Sequence, residues 1–150
     1  MKKALTLLVV SLVMAGLLAG CGGSSDGGAA EPADAALKIT GSVSTEMSWT
    51  EAELQAMGAV EAEYTGKDGV AQTYSGPALG ALLDEAGVSD GATALVMVAA
   101  DDYAAEVALA DLEGCDSCIV ALQDGGGLRS VLPGMSGKAQ VRDLVEIQVK

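Results

Sequence analysis

Gly125-Gly126-Gly127-Leu128-Arg129-Ser130-Val131-Leu132-Pro133-Gly134-Met135-Ser136-Gly137 sets a short apolar run between two glycine-bearing loops. Glycine reaches backbone conformations and close approaches that a Cβ forbids, so such loops frame tight turns or bound groups. Residues 129 to 132 have the composition of a short strand. Arg129 is one of two arginines in a chain of 150 residues with 21 acids and a formal charge of −13. The plain expectation is a structural ion pair with one of those acids. The sharper one is a clamp, since a guanidinium presents a planar fork of donors matched to phosphate or carboxylate.

Around this stretch the pattern is strand-rich. Leu37 to Val43 alternates as an opening strand, and Thr50-Glu51-Ala52-Glu53 reads as a capping box for a short helix to about Met57. Val60 to Tyr64 and Val70 to Tyr74 are short strands joined by the turn Gly66-Lys67-Asp68-Gly69. Gly76-Pro77 opens a second helix, with Pro77 at the first helical position. Leu79, Leu82, Leu83 and Ala86 share one face, and Gly87 closes it. Thr93 to Ala100, Tyr103 to Leu109, Ser117 to Leu122, Arg129 to Leu132 and Leu144 to Val149 supply further strands, with Asp101-Asp102 as a turn. Strands outnumber two short, singly inserted helices, which favours a mixed α+β domain over a doubly wound sheet.

The N-terminus reads as an address. Lys2 and Lys3 precede the apolar run Ala4 to Leu18, which ends in small residues before a cysteine, the pattern of an export signal. It is too short and too weakly flanked to favour a transmembrane span. Leu18-Ala19-Gly20-Cys21 resembles a bacterial lipobox, which implies lipidation of Cys21 and cleavage before it. Residues 1–21 are then signal and lipobox. Residues 22–36 hold only Gly, Ser, Ala, Asp, Glu and Pro, as expected of a flexible tether. Residues 37–150 form one domain of ordinary size. The expected location is extracytoplasmic, anchored to the bacterial cell membrane through lipid on Cys21. Loss of Lys2 and Lys3 takes the formal charge from −13 to −15, which argues against nucleic acid as a partner of the domain. The chain has no histidine, and so lacks the usual general base and commonest metal ligand.

The order of segments resembles the sulfite-oxidase-type molybdopterin-binding domain. Leu37-Lys38-Ile39-Thr40-Gly41-Ser42-Val43 is similar to that family's "L-x-I-x-G-x-V" opening. Tyr74 to Val88 is similar to its "Y-x-G-V-P-L-x-x-L-L-x-x-A-G-V" helix, and Asp101 to Leu109 to its "D-G-Y" strand pair. Gly126 to Gly137 is similar to its "G-G-P-x-R-x-x-x-P-x-x-x-G" loop, and Val141 to Val149 to its closing strand. The resemblance covers nearly all of residues 37 to 150 and implies a mixed-sheet α+β fold. In that family a cysteine thiolate ligates molybdenum after an early strand, whereas the matching Tyr64-Thr65-Gly66-Lys67 has no cysteine. The family's pterin-contacting histidine has no counterpart either. Arg129 matches its phosphate-contacting arginine, but the family's lysine is replaced by Ala139, flanked by Lys138 and, further on, Arg142. The resemblance therefore implies Arg129, Lys138 and Arg142 as cofactor-binding residues, with no metal ligand. Molybdenum needs a soft fixed donor, so the expectation is a module without a resident cofactor that binds a small anion or a protein partner. A molybdopterin-dependent oxidoreductase is the alternative.

The remaining candidates are weaker. Cys115-Asp116-Ser117-Cys118 has no second Cys pair or histidine to complete a zinc site, and Ile119 stands where haem attachment needs histidine. A local disulfide is the expectation in an exported protein. A redox-active pair is the sharper alternative, opposed by the acidic neighbours Asp111, Glu113 and Asp116, which would raise a thiol pKa. Asp101-Asp102 and Glu61/Glu63 read as turn and solvated-face carboxylates rather than catalytic pairs. Ser75, Ser130 and Ser136 lack a histidine base. Trp49 reads as a core or staple residue.

Overall fold

The computed structural model describes residues 34–150. Cys21, the expected signal segment and most of the expected tether lie outside the described residues. Within them, Ala36 already joins the domain, its N–H donating to the Trp49 carbonyl at 2.8 Å.

The main sheet has five strands in the order β2-β1-β9-β5-β6. They are β1 (Leu37–Gly41), β2 (Met47–Trp49), β5 (Ala94–Ala99), β6 (Ala104–Ala108) and β9 (Leu144–Val149). β1 runs parallel to β9, and the other neighbours are antiparallel. Period-2 side-chain alternation buries Leu37, Ile39, Leu95, Met97, Ile147 and Val149, and a register shift in the β5–β9 pairing brings Leu144 to the same face. Trp49 joins this core.

The first helix, α1 (Glu51–Ala56), starts at Thr50 with both arms of the capping box formed: Glu53 N–H donates to Thr50 Oγ1 at 3.3 Å, and Thr50 N–H donates to Glu53 Oε2 at 2.8 Å. α2 (Leu79–Ala86) is too short to persist on its own propensity. Leu79, Leu82, Leu83 and Ala86 hold it to the core, each buried leucine worth about 1.5–3 kcal/mol. Gly87 ends it at φ +69°, a left-handed conformation that favours glycine.

Four expectations shift. Pro77 precedes α2 rather than opening it, because residues 77–79 first run beside β7 (Ile119–Leu122): Val120 N–H donates to the Pro77 carbonyl at 3.0 Å, and Leu79 N–H donates to the Cys118 carbonyl at 2.8 Å. The strand expected through Leu109 stops at Ala108, where Leu109 N–H turns to the Thr93 carbonyl. A short third helix, α3 (Leu109–Leu112), follows it, giving three short α-helices among the described residues rather than two. That return strand also begins at Ala104, after a turn in which Asp101 Oδ1 accepts from Tyr103 N–H at 3.1 Å.

Two ribbons complete the domain. The hairpin β3 (Val60–Thr65) and β4 (Ala71–Gly76) is one, and β7 with β8 (Leu128–Val131) is the other. The β7–β8 ribbon has two covered faces. Val120 and Leu128 join the main core, whereas Ile119, Ala121 and Val131 form a second cluster with Ala62, Val60, Tyr64 and Tyr74 of the hairpin. Arg129 has the parity of Val131, so its side chain is directed to the hairpin.

Candidate functional site

Arg129 is 5% exposed. Its guanidinium carbon lies 4.4 Å from the centroid of the Tyr74 ring and 5.9 Å from that of Tyr64. One terminal nitrogen, Nη1, donates to the Tyr74 hydroxyl at 2.7 Å, and that hydroxyl donates to Gln72 Oε1 at 2.5 Å. The hairpin register sets Ala62 opposite Tyr74 and Tyr64 opposite Gln72, so these four side chains share the inward face.

No acid completes this arrangement. Among the described residues neither Arg129 nor Arg142 forms an ion pair, and the buried Arg129 Nε has no hydrogen-bond partner. Arg142 instead faces Arg129 across an antiparallel bridge, reinforced by Ser130 N–H donating to the Val141 carbonyl at 2.9 Å. Like charges directly opposite on neighbouring strands repel. The expected ion pair is thus absent among the described residues, because strand parity turns Arg129 toward two tyrosines.

Magnitudes indicate what the arrangement lacks. A largely desolvated charge costs several kcal/mol, and an unmade buried hydrogen bond about 1–3 kcal/mol. Cation–π contact returns roughly 0.5–2 kcal/mol. An anion between the two arginines would supply the missing charge.

Space for it exists. A cavity of about 710 Å³ is lined by Gln72 to Ser75, Leu122 to Gly125, Arg129 and Arg142. A second, of about 480 Å³, shares Gln72, Tyr74, Arg129 and Arg142 and reaches Tyr64 and Lys67. Asp124 and Asp68 line one cavity each without pairing to an arginine.

The two glycine loops play unequal parts. Gly125 lines the larger cavity, while Gly127 N–H is taken by Glu51 Oε1 at 2.8 Å, tying that turn to α1. Residues 133–136 border a different cavity beside β6; from the second loop, only Gly137 reaches the arginine site. Lys138 lines none of these cavities; it is exposed, and its carbonyl accepts from the Tyr103 hydroxyl at 3.2 Å. Ser130 Oγ is occupied structurally, donating to the Ala139 carbonyl at 2.7 Å and accepting from Val141 N–H at 2.8 Å. Glu61 and Glu63 lie on the exposed face of the hairpin.

The sequence reading missed Tyr64, Tyr74 and Gln72. A usable signal was present, because assigning Glu61 and Glu63 to the solvated face places Ala62 and Tyr64 on the inward one.

The donors for a metal do not match what molybdenum requires. Cys115 and Cys118, the cysteines among the described residues, are joined in a disulfide. No group of three His, Cys, Asp or Glu side chains gathers among those residues. The arginine pair suits the anionic part of a cofactor, not its metal.

Comparison with solved structures relates this scaffold to the sulfane dehydrogenase SoxCD of Paracoccus pantotrophus, with a TM-score of 0.62 at 20% identity. The fold is sulfite-oxidase-like. The match covers 75% of this chain and 37% of the SoxCD chain, so it spans well under half of that protein. No family model and no curated protein matches the chain.

Proposed function

We propose that this chain is a membrane-anchored extracytoplasmic lipoprotein whose sulfite-oxidase-like domain binds an anion between Arg129 and Arg142 and works as a binding or interaction module. The observation that carries this reading is the buried Arg129 guanidinium, set against a second arginine with no carboxylate partner among the described residues. The Leu-Ala-Gly-Cys pattern at Cys21 supports lipid anchoring. Lys138 has no comparable geometric support and is left at the periphery of the site.

The second reading is a molybdopterin-dependent oxidoreductase, favoured by the likeness of fold and by the match of Arg129 to the family's phosphate-contacting arginine. The absence of a free thiol among the described residues weighs against it. Molybdenum and pterin analysis of the full chain, purified from a host that makes molybdenum cofactor, separates the two. The binding-module reading expects neither in stoichiometric amount, and stoichiometric molybdenum would overturn it. Palmitate labelling that depends on Cys21 tests the anchor, and labelling unchanged in Cys21→Ser would refute it.

A further inference from the structure

We infer that the ligand of this site is the C-terminal end of an extended peptide, added as a strand along the free edge of β4 with its α-carboxylate on Arg129 and Arg142. This rests on the anion-binding reading and adds the class of ligand.

The two ribbons meet at one end and separate at the other. At the meeting point Ala78 bridges Ile119 antiparallel, Val120 N–H donates to the Pro77 carbonyl, and a Cβ on Gly76 would collide with the Val120 carbonyl oxygen. Beyond Gly76 the contact is not continued as a ladder. The strand partner of β4 is β3, that of β7 is β8, and no backbone hydrogen bond links residues 71–75 to β7. The result is a V-shaped gap closed at Gly76.

The larger cavity fills that gap. One wall is the β4 run Gln72-Thr73-Tyr74-Ser75; the other is Leu122, the last residue of β7, followed by the turn Gln123-Asp124-Gly125, where Gln123 N–H donates to the Gly127 carbonyl. Successive strand residues point to opposite faces, so a cavity touching four in a row of β4 runs along the edge of that strand. Such an edge presents unpaired N–H and C=O groups, the usual template for strand addition. Four residues extend roughly 13 Å, enough for a short peptide tail.

Charge selects which end of the peptide enters. Arg129 lies opposite Ala121 in the β7–β8 register, closer to the closed end than residues 123–125. A chain entering beside those residues reaches the arginines as it runs out of room. A terminal carboxylate satisfies the two cations there, whereas an amide cannot supply the charge.

The test uses the full chain in detergent and a blocked pentapeptide of alternating threonine and valine, prepared with a free carboxylate or a C-terminal amide. Sulfate and acetate are the small-anion probes. We expect the free acid to bind at least about tenfold more tightly than the amide or acetate. It should also slow amide hydrogen exchange within residues 72–75, and Arg129→Gln should abolish both effects. If sulfate and acetate bind while neither peptide exceeds acetate and exchange at 72–75 is unchanged, the peptide inference is overturned and the anion site stands. If no anion binds, both are overturned.

Discussion

Arg129 and Arg142 stand directly opposite each other across an antiparallel bridge, and both line the same two cavities. In a chain with 21 acids, two of its few cations are thus placed together, neither of them ion-paired to an acid among the described residues. Such an arrangement resembles the recognition of an anion more than the neutralisation of a surface, and it has consequences for stability and binding of opposite sign.

Arg142→Gln relieves the repulsion, so without added anion the variant should be unchanged or more stable by a few tenths of a kcal/mol at low salt. Sulfate at ten times its dissociation constant should stabilise the wild type by about 1.4 kcal/mol and the variant much less. Thermal melts with and without sulfate, matched in ionic strength with chloride, check both. Equal sulfate stabilisation in the two proteins would refute the pairing.

Tyr74→Phe keeps the ring beside Arg129 but removes the acceptor for Nη1 and the donor to Gln72. We expect a loss of about 1.5–3 kcal/mol in urea unfolding, the scale of one hydrogen bond to a charged group. A Tyr74→Ala variant should lose more, since it also removes the cation–π contact and the packing with Ala62 and Ile119. Equal stability in wild type and both variants would refute this account of Arg129.

The capping box gives a pH dependence with a defined sign. Hydrogen bonds from the Thr50 backbone, then from its hydroxyl, hold Glu53 below its ordinary value of 4.5. A depressed folded pKa stabilises above the unfolded value, and that contribution disappears as pH falls through the folded one. The stability difference between wild type and Glu53→Gln should therefore be constant near neutrality and shrink on acidification below about pH 4.5. Urea unfolding across that range reads it, and a difference that grows toward acid would contradict the assignment.

The Cys115–Cys118 disulfide closes a loop of sequence separation 3, so chain entropy limits its contribution to about 2 kcal/mol. Its neighbour Leu79 N–H holds the Cys118 carbonyl, so the double Cys→Ser variant should loosen the start of α2 while leaving anion affinity unchanged. Hydrogen exchange at Leu79 and sulfate titration measure the two effects. A large loss of sulfate binding would show that the bridge sets the site.

Much of the fold was legible because alternation, capping and glycine stops are local. The Thr50–Glu53 box, the Gly87 stop and the strand Leu144–Val149 all stand where the pattern puts them. The start of α2 was displaced by bonding to β7, some 40 residues away in sequence, which no local pattern encodes. The site was half legible. Arg129 and Arg142 could be named from the order of segments, yet their opposition depends on a bridge between two loop-flanked segments. The Tyr64–Tyr74 bracket depends on a hairpin packing onto a distant ribbon. The lack of an acid partner among the described residues follows from strand parity combined with that packing, not from composition, which favoured an ion pair.

The most direct test reads the arginine side chains themselves. With two arginines in the chain, a nitrogen-edited NMR spectrum should show two Nε–H signals, each assignable by a single Arg→Lys substitution. On titration with sulfate at constant ionic strength both signals should move along one saturable curve. Signals that stay fixed, or drift linearly without saturation, would contradict an anion site between Arg129 and Arg142.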